Sequence, residues 1–293
     1  MKPQNILITG AGMKGFIIVG ILYELNKYNL LSKLDKFFGI SVGSIICLLM
    51  VIDYSIEEIY QFIYTFDFSV IIKKKKNNNF IDDFINNYGI FKIDNLKYTI
   101  EKLLLYKNLN KNITFIELYM MTKKELIISI SCLNTSEVEY CNYKNTPNYK
   151  IIDIIAISCN IPLFFSPINY NNRLYLDGGF YNNLPIDYFE KEIEKTLFIS
   201  NQLNLYGIIN NFQEYLFNLL ISKNFFIENK NFKNKKLNII NIINKNNRSV
   251  IDFNITNDEK KKDFESGIEI CNDYIKSHYY YYYYIKKNSN IIY

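Results

Sequence analysis

The stretch KFFGISVGSIICLLMVI, Lys36–Ile52, sets the fold. Lys36–Phe38 reads as a short buried strand, and Ser44–Ile52 as a helix apolar on every side, which places it in the middle of a domain. Between them lies Gly39-Ile40-Ser41-Val42-Gly43, a G-x-S-x-G sequence. A serine hydroxyl becomes a nucleophile only when it is exposed, oriented and beside a base. A sharp strand-to-helix turn meets the first two needs, and flanking glycines relieve the crowding it creates. The amino end of the following helix offers partial positive charge to an oxyanion developing there.

Working outward, Asn5–Thr9 reads as another buried strand, followed by Gly10-Ala11-Gly12-Met13-Lys14-Gly15. Ile18, Ile21, Leu22 and Leu25 then recur at helical spacing. The chain holds only 11 glycines, and seven of them fall into three clusters: Gly10, Gly12 and Gly15; Gly39 and Gly43; Gly178 and Gly179. A chain this sparing with glycine places it where backbone geometry leaves no substitute, so the clusters mark three unusual turns. Amides of the first loop can hold a phosphate or an oxyanion, since both are negative oxygens. As G-x-G-x-x-G after a strand, the loop also fits a dinucleotide site with Asp35 as the ribose acid. That alternative gives Ser41 and Asp177 nothing to do, and Asp35 precedes its strand rather than ending it.

The single histidine, His278, ends the last helical stripe beside the tyrosine tract Tyr279–Tyr284, a poor place for a base that must hold hydrogen-bond distance. The proton of Ser41 then needs a carboxylate. Glu57, Glu58, Asp82 and Asp83 fall on helix surfaces or polar loops, whereas Asp177 follows the strand Arg173–Leu176 and precedes two glycines. Such a loop is either a plain turn or a base loop, and desolvation there would raise the aspartate's proton affinity toward usefulness.

The rest of the chain reads as alternating strands and helices, which predicts an α/β layered domain with a mainly parallel sheet. Ser55 and Glu58 form a capping box for a helix to about Phe66. Phe80–Tyr106 reads as largely helical. Leu126–Ser131, Glu137–Cys141, Thr196–Ser200 and Leu237–Ile243 read as strands, and Phe264, Ile268, Cys271 and Ile275 as one helical stripe. The net charge is +5, and the lysine runs Lys73–Lys76 and Lys233–Lys236 are read as solvated loops. No basic-aromatic stripe points to nucleic acid. The five cysteines are scattered without a C-x-x-C, against a zinc site or disulfide framework. Neither a signal peptide nor a transmembrane segment is expected, so an intracellular location, cytoplasmic or peripheral to membranes, follows.

In order and spacing these motifs resemble the patatin-like phospholipase family: Gly10–Gly15 as the glycine-rich loop, Gly39–Gly43 as the elbow, Asp177-Gly178-Gly179 as the base loop. Thr114-Phe115 with Glu117-Leu118-Tyr119, Ile161-Pro162 with Phe165 and Pro167, and Asn183-Leu184-Pro185 are similar to the connecting segments. The resemblance spans about Asn5 to Phe189 and, weakly, the last helix. It implies a three-layer α/β/α sandwich with residues 5–200 as catalytic domain and 201–293 completing the same domain before a low-complexity tail. It implies a lipid acyl hydrolase, metal- and cofactor-free, with Ser41 as nucleophile and Asp177 as proton acceptor. The amides near Gly12 and Met13 would form the oxyanion hole, and Lys14 would favour an anionic headgroup or stand solvated. The expected partner is a lipid or acyl ester, met with or without transient contact with a membrane surface. Two departures stand out. Ala11 replaces a usual glycine and is expected to stiffen the loop. Asn160 replaces a small residue and is expected to reshape the acyl pocket. A lipid-binding pseudoenzyme is the alternative on the same scaffold.

Overall fold

The structure, a computed structural model, describes residues 2–73, 80–201, 215, 219, 237–243 and 249–279. Apart from Lys73 and Tyr279, the two lysine runs and the tyrosine tract lie outside them. The first half runs β1 (Asn5–Ile8), α1 (Gly15–Lys27), β2 (Lys36–Gly39), α2 (Val42–Val51), α3 (Ile56–Thr65), α4 (Phe80–Asn87), β3 (Gly89–Phe91), α5 (Asp94–Tyr106) and α6 (Phe115–Thr122). It continues with β4 (Glu125–Cys132), β5 (Glu137–Cys141), α7 (Ile151–Ser158), β6 (Leu163–Phe165), β7 (Ile168–Tyr170) and β8 (Arg173–Leu176). A run of 3₁₀ turns over Ile186–Lys195 leads to β9 (Thr196–Ser200), and then β10 (Ile239–Asn241) and α8 (Asn257–His278) complete it.

The central sheet has the order β10-β9-β1-β2-β4-β8-β7, with β5 also paired to β4. Strands β10, β9, β1, β2 and β4 are parallel neighbours; β5, β8 and β7 are antiparallel to theirs. Successive strand residues face opposite sides. Ile6, Ile8, Phe37, Leu126, Ile128, Leu197 and Ile199 therefore enter a large core beneath α1, α2, α7 and α8. Leu7, Phe38, Ile127 and Phe198 enter a smaller core with Leu184, Ile186 and Phe189 on the other face. Burial on both sides is why these strands read as unbroken apolar runs.

Most expected elements are present, and the capping box at Ser55 and Glu58 forms in both directions, at 3.0 and 2.7 Å. The expected helical stretch Phe80–Tyr106 is interrupted at Gly89, where β3 pairs in parallel with β6. Helix α7 carries no periodicity to read, because Ile151, Ile152, Ile154, Ile155, Ala156 and Ile157 are all buried. In the last helix, Lys260 Nζ donates to the carbonyls of Tyr64 and Phe66 at 2.9 and 2.7 Å, tying α8 to the end of α3. Where α8 crosses α1, a Cβ on Gly20 would lie 2.1 Å from the Phe264 carbonyl oxygen, and one on Gly267 2.1 Å from that of Ile17. Among the described residues, no helix is long and apolar enough to cross a membrane.

Candidate active site

Strand register brings two of the three glycine turns together. Ile128 is paired with Gly39 on one side and Cys141 on the other; Ser131 is paired with Leu176 and Val138. Strand β5 thus takes one edge of β4, while β2 and β8 share the other edge and run toward each other. Ser41 leaves the end of β2 and Asp177 leaves the end of β8, so the two meet in the gap between the strand ends.

Ser41 sits at φ 53°, ψ −128°, a conformation costly for any residue with a Cβ. Its amide donates to Ser158 Oγ at 2.9 Å, and its carbonyl accepts the Ser44 hydroxyl at 2.6 Å and the Ser44 amide at 2.8 Å. The turn is also jammed against β1: a Cβ on Gly43 would lie 2.3 Å from the Ile8 carbonyl oxygen. The surroundings thus over-determine the strained serine.

Asp177 is buried. Its amide donates to the Asn160 carbonyl at 2.9 Å, and its Oδ1 accepts the Gly179 amide at 2.8 Å. Among the described residues, its buried Oδ2 has no hydrogen-bond partner. Burial pushes the carboxyl up to about 6; the neighbouring Ser41 hydroxyl and the Gly179 amide offset only part of that rise. Ser41 and Asp177 are thus neighbours, and the Ser41 hydroxyl acts on the Asp177 carboxyl.

The glycine loop lies beside Ser41. Gly12 takes φ +52°, and a Cβ there would lie 2.1 Å from the Val250 carbonyl oxygen. Four loop amides are engaged: Gly10 with Asn183 Oδ1 at 2.9 Å, Met13 with the Val250 carbonyl at 3.0 Å, Lys14 with that of Ala11 at 3.1 Å, and Gly15 with that of Gly12. Among the described residues, the amides of Ala11 and Gly12 have no such partner. The Met13 amide, expected at the oxyanion hole, is committed to the chain after residue 248. Lys14 is buried rather than solvated. Burial lowers its ammonium to about 8, and the charge of Asp263 on α8 counters only part of that.

Ser41 also lines a cavity of about 110 Å³. Its walls are almost wholly apolar, with Phe16 and Val19 from α1, Ile45 and Leu49 from α2, Phe62 from α3 and Ile100 from α5. Water gains nothing there, whereas a hydrocarbon chain loses its exposure to water. Asn160 is not in this wall. It is fully buried behind Asp177, its amide 3.4 Å from the Tyr175 carbonyl, and its neighbours Cys159 and Ile161 face the cavity instead. Cys159 was not singled out in the sequence. Its thiol stands 3.9 Å from Ser44 Oγ, and burial together with the Asp177 charge drives its proton affinity up, so it fills space rather than reacts.

The remaining candidates lie elsewhere. Asp35 precedes β2, at the end of the parallel sheet opposite the glycine loop, so it cannot face a ligand held there. Exposed His278 interacts with Ser277 Oγ at 2.7 Å and the Tyr274 carbonyl at 3.1 Å, and stacks on the Tyr274 ring. All five cysteines are buried and unpaired. Among the described residues, no group of three or more His, Cys, Asp or Glu side chains could hold a metal ion.

Residues 6–190 match the family model described as patatin-like phospholipase. A probable lipid hydrolase of Invertebrate iridescent virus 6 is 34% identical over 191 residues, 64% of this chain and 64% of that protein. This match therefore spans less than two thirds of that relative's length. An uncharacterised protein of Acanthamoeba polyphaga mimivirus is 30% identical over 278 residues, 91% of each chain. Among solved structures, VipD from Legionella pneumophila aligns with a TM-score of 0.63 at 14% identity, covering 95% of this chain and 67% of that one. Full-length ExoU from Pseudomonas aeruginosa aligns at 0.52 and 13%, covering 94% and 52%. At such identities the two structures speak for the fold, a central, mostly parallel sheet flanked by helices.

Proposed function

The chain belongs to the patatin-like phospholipase family, and from that premise we infer that it is a lipid acyl hydrolase working through Ser41 and Asp177. The observation that carries this reading is a strained serine that lines an apolar cavity and has a buried carboxylate beside it. The cavity takes the acyl chain, which sets the ester carbonyl against Ser41 Oγ. As Oγ attacks, its proton passes to Asp177 Oδ2, the unpaired oxygen. With a value near 6, that carboxylate is ionised at neutral pH yet basic enough to accept. The amides of Ala11 and Gly12 and the amino end of α2 hold the oxyanion. Asp177 returns the proton to the departing alcohol, leaving an acyl-serine. Water, deprotonated by Asp177, then releases the fatty acid and restores both groups.

Residues 5–200 supply every group named, and the packing of α8 on α1 supports residues 201–293 completing the same domain. Phospholipid, galactolipid and acylglycerol substrates share the ester this chemistry needs. A lipid panel with product analysis tests the reading: the protein releases fatty acid from at least one class, and the folded Ser41→Ala variant releases none. Undiminished release by Ser41→Ala ends the reading.

A further inference from the structure

The glycine loop and the base loop come from opposite ends of the catalytic region, yet one side chain touches both. Asn183 is buried; its Oδ1 accepts the Gly10 amide at 2.9 Å and its Nδ2 donates to the Gly10 carbonyl at 3.1 Å. This reciprocal pair fixes both peptide planes that flank Gly10, the second of which carries the Ala11 amide. The same Oδ1 presses on the base loop: a Cβ built on Gly179 would lie 2.6 Å from it, and one on Gly10 would lie 2.8 Å from it and 3.2 Å from the Ser41 Cβ. Gly179 in turn donates its amide to Asp177 Oδ1 at 2.8 Å. One carboxamide oxygen is therefore wedged between the chain that would hold the oxyanion and the chain that holds the carboxylate.

We propose that Asn183 is a positioning residue that sets the register between the glycine loop and the Asp177 loop, so that the Ala11 and Gly12 amides and Asp177 Oδ2 address the same ester. The proposal rests on the hydrolase reading. Asn183 touches neither substrate nor the reacting atoms; its effect passes through Gly10 and Gly179. The asparagine carboxamide meets the demands on both sides, one acceptor and one donor on the same rigid group. Aspartate keeps the acceptor for the Gly10 amide but loses the donor to its carbonyl, and leucine offers neither. Substrate binding in the apolar cavity does not depend on this clamp, so its loss is felt in the transition state, where the oxyanion forms.

A double-mutant cycle on the full chain decides the matter, with kcat and KM measured on the ester class that the wild type hydrolyses. Asn183→Ala lowers kcat by about 10²-fold, the scale of a misplaced oxyanion donor, while KM changes by less than about threefold. Asn183→Asp falls between the two. Gly179→Ala alone, which drives a methyl group into Asn183 Oδ1, also lowers kcat, but added to Asn183→Ala it costs much less, because the wedge is gone. Folded fraction is followed by circular dichroism, so that kcat refers to native molecules. Unchanged kcat in folded Asn183→Ala, or strictly additive losses in the pair, overturns the clamp while Ser41-dependent turnover by the wild type still stands. No Ser41-dependent turnover by the wild type overturns the hydrolase reading and the clamp with it.

Discussion

Two places in the molecule press backbones together over glycine, and they use the closeness differently. At the elbow, Gly43 lets α2 start against β1; at the helix crossing, Gly20 and Gly267 let α8 settle on α1. The forbidden Cβ contacts are almost equal, 2.3 Å from Ile8 O at Gly43 and 2.1 Å from Ile17 O at Gly267. The crossing stores no backbone strain, since neither of its glycines has a positive φ. The elbow adds a serine at positive φ and, beside it, a buried carboxylate with an unpaired oxygen and a raised pKa. Tight packing by itself marks only a core. Tight packing that also holds strain and an uncompensated charge costs stability, which the proposed mechanism explains as the requirement of chemistry at that place.

The contrast is most sharply tested at Asp177. Asp177→Asn lowers kcat/KM by about 10³-fold or more, by removing the only base in the proposed mechanism, yet it stabilises the fold. The native carboxyl sits near 6 against an ordinary 3.8, so its ionisation costs up to about 3 kcal/mol. Because the folded value lies above the unfolded one, that cost is absent below about pH 4 and complete above about pH 6. Urea unfolding at pH 8 and pH 4 should therefore show a gain at the higher pH and little at the lower. The opposite pattern is expected at the crossing. Gly267→Val costs about 3 kcal/mol by overpacking, read as a lower urea midpoint, while each molecule that stays folded keeps its turnover. A smaller effect is expected from Ser41→Gly, which eliminates turnover and gains about 1 kcal/mol as the positive-φ strain relaxes. If Ser41→Gly proves less stable than the wild type, the elbow stores no strain and resembles the crossing after all.

The same contrast separates what could be read in the sequence from what could not. Clustered glycines stood out, and Ser41 and Asp177 with them, because a turn needs several unusual residues close together in the chain. Gly20 and Gly267 are isolated in helical patterns, and their reason is a partner far away in sequence. Helix α7 left no periodic trace because every one of its residues except Asp153 is buried. Gly89 broke a helix through pairing with a strand more than seventy residues away. Asn183 has no prominence of its own in a chain rich in asparagine; its proposed role depends on Gly10 and Gly179 being its neighbours in space. Cys159 and Asn160 are not told apart in sequence, because chain position does not say which of two adjacent side chains faces the cavity and which lies behind Asp177. The commitment of the Met13 amide to Val250 likewise belongs to a segment with no signature of its own.

The most direct test of the Ser41–Asp177 pairing is the rate at which a fluorophosphonate forms a covalent adduct, followed from pH 4 to pH 9 by intact mass and peptide mapping. The account predicts a single adduct, on Ser41, with a rate that rises through a midpoint near pH 6 as Asp177 ionises and that is lost in Asp177→Asn. Absence of the adduct, or labelling of Ser41 at the same rate in both proteins across that range, would contradict it.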